Sequence, residues 1–488
     1  MITNTHAAKF LDDADAAMVS NKPILADRYL VLAASMPISD AVLLSRLVDF
    51  AKHRGHDEAI QNALTRSPLT KSDGALQLLL AEIYSKRGEY DAAKQTFTAL
   101  ADDPEHGPAA LRSLANLALY AVELETVLEI ADRLDVLSPG GAGPAMLRAN
   151  VFIKQGNLQA AEAELDIAAG LGANDEGLHF QRMAIASKRR EFSEIWRYWL
   201  ARKEPPELLP HHLLPRLTRL EDARGMNVLV RSEQGFGDIL QFARFIPALV
   251  GIAESVTFYT NGRLQRLLTP LHEAGVELCD RNPEDQYPDF ICPMLDLPHL
   301  VGADTAEKLL PAPYLRVEPE VQSEWQARVG REGFRIGIVW QGNAQGAIDY
   351  GRSIPLDELA RIAEIDGVRL IALQKGTGIE QIAALPQPEI IEVFDAFDAG
   401  EDAFIDTAAL ASCLDLIVTT DTSVAHVVGA LGLPAVLLLK YDPDWRWTIP
   451  PLNKTVWYQN TVPLRQDKAG DWAGVVDKLM LLITERMA

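Results

Sequence analysis

LIVTTDTSVAHVVGALGLPAVLLL, residues 416–439, is the stretch on which the fold turns. Five apolar or β-branched residues end at Thr420, and Asp421-Thr422-Ser423 supplies the short polar side chains that favour a helix start. A helical run with His426 and Gly429 follows. Gly432 and Pro434 then break it ahead of a second apolar strand, PAVLLL. Two strands apolar along their whole length and joined by a helix make a βαβ unit, which belongs to a parallel sheet covered on both faces.

The same alternation extends to either side. NVLVRSE (227–233), SVTFYT (255–260), VELC (276–279) and DFICP (289–293) read as strands, with DILQFARFIPALVGIA and RLQRLLTPL as helices between them. A second series starts at Phe334 with FRIGIVWQG, RLIALQ, IIEVF, LIVTTD and PAVLLLK, and its helices start near Leu356, Gly378, Thr407 and Ser423. Two consecutive series predict two Rossmann-like α/β domains facing a cleft, over residues 226–330 and 331–466. The amphipathic run GDWAGVVDKLMLLITERM predicts a closing helix over 467–488.

The first two hundred residues have a different texture: rich in Ala and Leu, with helical apolar spacing. LAEIYSKRGEYDAAKQTFTALADDP (Leu80–Pro104) reads as a tetratricopeptide unit, with Ala81, Tyr84, Gly88, Tyr90, Ala93 and Phe97 in the expected places. Gly156 follows Gly88 by 68 residues, twice the period of ~34. The same shift places Phe152 with Tyr84 and Ala161 with Ala93, and Phe50 and Ala59 one period earlier. The intervening repeat keeps the spacing but has Ala118 and Val127 at those positions. A further unit around Phe192 closes the array, so 1–203 is expected to be a TPR-like helical solenoid. Four prolines in KEPPELLPHHLLP mark a linker over 204–225, with His211 and His212 as linker residues.

Composition limits the partners. The 488 residues hold 46 Lys and Arg against 68 Asp and Glu, a net charge of −22 with the excess mostly in the second half. That charge disfavours nucleic acid, whose binding needs a Lys/Arg excess. Cys279, Cys292 and Cys413 are odd in number and form no C-x-x-C, which suits buried thiols in a reducing compartment. The N-terminal sequence lacks the order of a signal peptide, and no apolar run reaches the ~18–20 residues needed to cross a bilayer. On this reading the chain is cytoplasmic, with no transmembrane segment.

Three local patterns carry chemistry. In VRSEQGFGDILQF, Gly235 and Gly237 allow a tight strand-to-helix turn that can approach a phosphate or hydroxyl closely. Asp238 at that turn reads either as a helix cap or as a general base. At Asp421-Thr422-Ser423 the unbonded N–H groups of a helix start and two hydroxyls suit a diphosphate, with His426 one turn on; the same residues are also good helix caps. In GRSIPL, Arg352 reads as a bidentate diphosphate clamp or as an exposed loop arginine.

EQGFGDILQFARF, WQGN, RSIPL, DTAALASCLDLIVTTDTSVAHVVGALG, DPDWRW and WYQ…LRQ occur in the order found in one known group. Residues 227–466 resemble the GT-B-type region of bacterial tetratricopeptide-containing glycosyltransferases, relatives of the heptosyltransferases and of the O-GlcNAc transferases. The resemblance implies α plus α/β architecture, a TPR-like solenoid followed by a GT-B glycosyltransferase. It implies a nucleotide-sugar donor as substrate and Asp238 as the base on the acceptor hydroxyl. It assigns donor binding to Gly235, Gly237, Trp340, Gly342, Asn343, Arg352, Gln374, Asp406, Thr407, Asp421, Thr422, Ser423 and His426. Asp442 and Asp444 form a nominal D-x-D, but within DPDWRW they match a metal-free family, so neither metal nor other cofactor is expected. The chain departs from the family pattern at GNAQGAID, where Ala344, Gly346 and Ile348 replace Pro, His and Asn. The resulting expectation is an inverting, metal-independent transferase acting on a protein of flagellin or adhesin type docked by the repeats, with homo-oligomers allowed. Transfer to a lipid or glycan, and a TPR adaptor with a degenerate nucleotide-sugar module, are the alternatives.

Overall fold

The computed structural model describes residues 2–202, 214–280, 288–309, 313–343 and 349–488. His211, His212, most of the expected linker, and Ala344, Gly346 and Ile348 lie outside the described residues. By their contacts the described residues form two compact units, one built on Met1–Gly172 with Asp349 and Tyr350, and one on Ala173–Asn343 with Gly351–Ala488.

The first unit consists of helical hairpins. Ala59, Ala81, Ala93, Ala115, Ala149 and Ala161 are all buried, as the spacing of small residues requires where paired helices approach closely. The turns between paired helices keep the period in their backbone. Gly88 (φ 79°), Val122 (φ 60°) and Gly156 (φ 77°) all adopt the left-handed conformation, and Arg190 (φ 60°) continues the series in the second unit. Glycine adopts that conformation freely, whereas a β-branched valine is strained in it. Val122→Gly is therefore expected to stabilise the first unit by about 1 kcal/mol, read as a higher denaturation midpoint.

In the second unit, the hairpin Glu176–Arg189 and Phe192–Trp199 packs on the first α/β layer. Trp196 donates its indole N–H to the Ala303 carbonyl (2.6 Å) and meets Phe242, Trp445 and Trp457 edge-on. The first sheet comprises β1 (Asn227–Arg231), β2 (Ser255–Tyr259), β3 (Glu277–Cys279) and β4 (Phe290–Pro293), all parallel in the order β3-β2-β1-β4. The second comprises β5 (Phe334–Val339), β6 (Val368–Ala372), β7 (Ile391–Glu392), β8 (Leu416–Thr420), β9 (Ala435–Leu439) and β10 (Thr461–Arg465). It too is all parallel, in the order β10-β9-β8-β5-β6-β7. That is the doubly wound order, and the strand order reverses between β5 and β8. The closing helix Trp472–Met487 buries Trp472, Val475, Val476, Leu479 and Ile483 in the core of the second sheet.

Local departures have local causes. The helix expected over DILQFARFIPALVGIA is α-helical only over Phe236–Phe242 and continues as a 3₁₀ turn over Ala243–Leu249, because Pro247 has no N–H to give. RLQRLLTPL holds the short helix Thr269–Glu273, with Pro270 in its first turn. β10 was not expected, since Pro463 interrupts its sequence; a proline is tolerated there because β10 is an edge strand.

Candidate active site

Each of the two motif turns follows the carboxyl end of a strand at the switch point of its own sheet. After β1, whose neighbours are β2 and β4, the chain turns through Gln234, a non-glycine residue at φ 61°, into the helix Phe236–Phe242. After β8, beside β5, it turns through Asp421 into the helix Ser423–Ala430. Ligands of open parallel sheets bind at such points.

Asp238 fills the capping role considered for it. It stands in the first turn of its helix, and its Oδ2 reaches back to accept the Gly235 N–H at 3.1 Å, half of a capping box. Its Oδ1 meets the Arg446 guanidinium. Arg446 also donates from Nε to Gln241 Oε1 (2.7 Å) and from Nη1 to Asp444 Oδ1 (3.0 Å). One carboxylate of the nominal D-x-D is thus an arginine partner. Arg446 thereby ties the first α/β layer to the second.

Behind the first turn lies a buried ion network. Arg202, just past the helix Phe192–Trp199, donates to both oxygens of Glu233 (2.6 Å to Oε1) and to Asp296 Oδ1 (2.9 Å). Arg216 reaches the other oxygen of Asp296 at 2.6 Å. The side chains of Arg202, Glu233 and Asp296 are only 2–3 % exposed. Glu233 immediately precedes the strained Gln234, so the network fixes the turn that presents Asp238.

At the second turn, Thr422 is the N-cap but its side chain makes no capping bond; its hydroxyl stands 3.2 Å from that of Thr419. The amides at the start of the Ser423–Ala430 helix therefore have no side-chain cap. His426 is buried, its Nδ1 lies 2.8 Å from the Tyr458 hydroxyl, and its ring stacks on Trp447. Burial, with the cations Arg446 and Arg244 nearby, holds its pKa well below the ordinary value, so the imidazole is neutral.

The helices Phe236–Phe242 and Ser423–Ala430 touch through Gly237: a Cβ there would lie 2.9 Å from the His426 ring. Trp447 and Tyr458 confine that ring, so it has little room to yield. Gly237→Ala is expected to cost about 1–3 kcal/mol of stability, measured by chemical denaturation.

Asp421 is raised to about 6, by burial first and by the Asp444 charge second. Its folded pKa exceeds the unfolded value of 3.8, so between the two the native state holds the extra proton and this group's contribution to stability falls as pH rises. His426 acts in the opposite sense, since it must be neutral when folded. Comparing wild type with Asp421→Asn isolates the aspartate: the variant should gain stability relative to wild type from pH ~4 to ~6, then hold a constant difference. A flat difference across that window would exclude the shift.

Gly342, Asn343 and Arg352 come together as expected. The guanidinium lies where a Cβ on Gly342 would have to go, and its Nη2 is 3.5 Å from the Asn343 carbonyl. Four other expected donor contacts have their side chains committed elsewhere. Trp340 is fully buried in the core of the second sheet and donates its indole N–H to the Gly378 carbonyl (3.2 Å). The Gln374 amide accepts from the N–H groups of Trp340 and Gln341 and donates to the carbonyls of Gln341 and Thr377. Asp406 accepts from the Trp325 indole N–H and the Asp398 N–H, while the Thr407 hydroxyl bonds to Asp398. These four side chains hold the loops around them.

Arg446, Gln241, Trp447 and Tyr458 belong to the site although no role was expected of them. Arg446 and Trp447 lie in DPDWRW, Tyr458 in WYQ and Gln241 in EQGFGDILQF, motifs that carry the resemblance but mark no partners. Among the described residues, no group of three or more His, Cys, Asp or Glu side chains is placed to hold a metal ion, and no helix is long and apolar enough to cross a membrane.

No protein-family model matches the chain. Over 357 residues, 67% of the chain, it is 24% identical to Protein FlbA of Caulobacter vibrioides, and the match covers 58% of that protein's length. Among solved structures, ADP-heptose lps heptosyltransferase II of E. coli aligns over 54% of this chain and 100% of its own, at 17% identity and a TM-score of 0.39. An O-GlcNAc transferase of Thermobaculum terrenum aligns over 85% of this chain and 91% of its own, at 14% identity and a TM-score of 0.29.

Proposed function

We propose that the chain is an inverting glycosyltransferase that moves a sugar from a nucleotide-sugar donor to an acceptor hydroxyl. The observation that carries this reading is the meeting, through Gly237, of two switch-point turns, one bearing Asp238 and the other the uncapped start of Ser423–Ala430. The motif resemblance of residues 227–466 supports it. The donor diphosphate lies at the amides of Ser423 and Val424 with Arg352 beside it. Asp238 takes the acceptor proton, the acceptor oxygen bonds to the anomeric carbon, and the C–O bond to the diphosphate breaks with its electron pair leaving on phosphate. Fixed N–H groups and guanidinium stabilise that charge, and the reading assigns no step to a metal.

The acceptor proposed is a polypeptide docked by the helical repeats, because a stacked-repeat groove suits an extended chain. The reaction is placed in the cytoplasm. The test is nucleotide release from a panel of nucleotide sugars, with candidate polypeptide acceptors and with lipid or glycan acceptors. Release that depends on a polypeptide supports the full proposal, whereas release that depends only on a lipid or glycan corrects the acceptor. Binding without release under any acceptor would favour an adaptor.

A further inference from the structure

The guanidinium of Arg446 is fixed at the joint of the two α/β layers, with a side chain only 9% exposed. Gln241 and Asp444 hold its Nε and Nη1, Trp457 donates its indole N–H to the Arg446 carbonyl (3.1 Å), and Trp445 lies under the cation. The third nitrogen, Nη2, faces Asp238. Asp421, at the entrance to the uncapped helix, also lies within electrostatic reach of this cation. Arg446 is therefore a preorganised cation beside the expected base and within electrostatic reach of Asp421, which precedes the expected diphosphate position.

We propose that Arg446 is a donor-binding residue, and that a nucleotide sugar's diphosphate takes the guanidinium nitrogen, Nη2, which Asp238 contacts. This rests on the reading of the two turns as a nucleotide-sugar site. A diphosphate offers more charge and more acceptor oxygens than one carboxylate, and Nη2 can donate to it in charge-assisted hydrogen bonds. Because Gln241 and Asp444 retain the other two nitrogens, the exchange needs no rotation of the arginine. Asp238 and the donor then compete for one cation. The base loses its counter-charge when the donor arrives, so proton abstraction follows donor loading.

The competition has an unusual signature: removing the base's charge should tighten donor-side binding. Titration calorimetry with nucleoside diphosphates, which cannot react, would compare wild type with Asp238→Asn. The variant is expected to bind about tenfold more tightly, the equivalent of ~1.4 kcal/mol. Arg446→Lys should bind more weakly and cancel most of the gain in the double variant, the coupling expected of a shared partner. If Arg446→Lys does not fold, Asp238→Asn alone decides. Unchanged or weaker binding by Asp238→Asn overturns the competition and leaves the nucleotide-sugar reading standing. Failure of every nucleoside diphosphate to bind wild type overturns both.

Discussion

Asp238→Asn is expected to lower sugar transfer by about 10²–10⁴-fold, the usual contribution of a positioned general base. The substitution keeps the size of the side chain, and its carbonyl oxygen can still accept the Gly235 N–H, so the turn should survive. What is lost is the capacity to take the acceptor's proton. Initial-rate measurements at saturating donor should place the loss in kcat, because binding of the donor does not need the carboxylate. A variant with wild-type kcat would remove Asp238 from the chemistry while leaving the site's location untouched.

The second large effect concerns stability. Arg202→Met removes the cation that joins Glu233 to Asp296 in a region from which water is excluded. Asp296 keeps Arg216, but Glu233 is left with the Leu295 N–H at 3.4 Å. An uncompensated buried carboxylate of this kind costs about 3–5 kcal/mol, to be read from the denaturation midpoint of the α/β unit. Arg202→Met combined with Glu233→Met should recover much of that loss, since apolar replacement of both partners leaves no charge stranded. The two experiments together separate the burial of the pair from its contribution to folding. Because Glu233 sits beside Gln234, the single variant should also transfer sugar more slowly than its remaining folded fraction accounts for.

Much of the architecture was legible because local pattern and tertiary environment agree. The run from Leu416 to Leu439 is strand, helix and strand as its apolar pattern indicates, with the helix starting at Ser423. The repeat spacing survives in left-handed turns even where Val122 replaces glycine. Pro463 hid β10 because a proline forbids a central strand and permits an edge strand, and sequence does not tell which position a strand will occupy.

The site was legible as turns but not as partnerships. Gly342 and Arg352, ten residues apart, meet within one local stretch. Asp238 and Arg446 lie 208 residues apart, and nothing in either local sequence marks them as partners. The same holds for Arg202 and Asp296, 94 residues apart. Trp340 and Gln374 have partners that the motifs do not reveal: one ring is buried in the core and one amide is bonded to backbone.

A nucleotide sugar is proposed to bind at the uncapped start of Ser423–Ala430, with Arg352 as a second contact to its diphosphate. The most direct test is calorimetric titration of wild type and Arg352→Ala with a panel of nucleotide sugars differing in base and sugar. At least one is expected to bind wild type, and Arg352→Ala to weaken it at least about tenfold, as when a charge-assisted contact to phosphate is removed. Absence of binding across the panel, or equal affinity in the two proteins, would contradict the proposal.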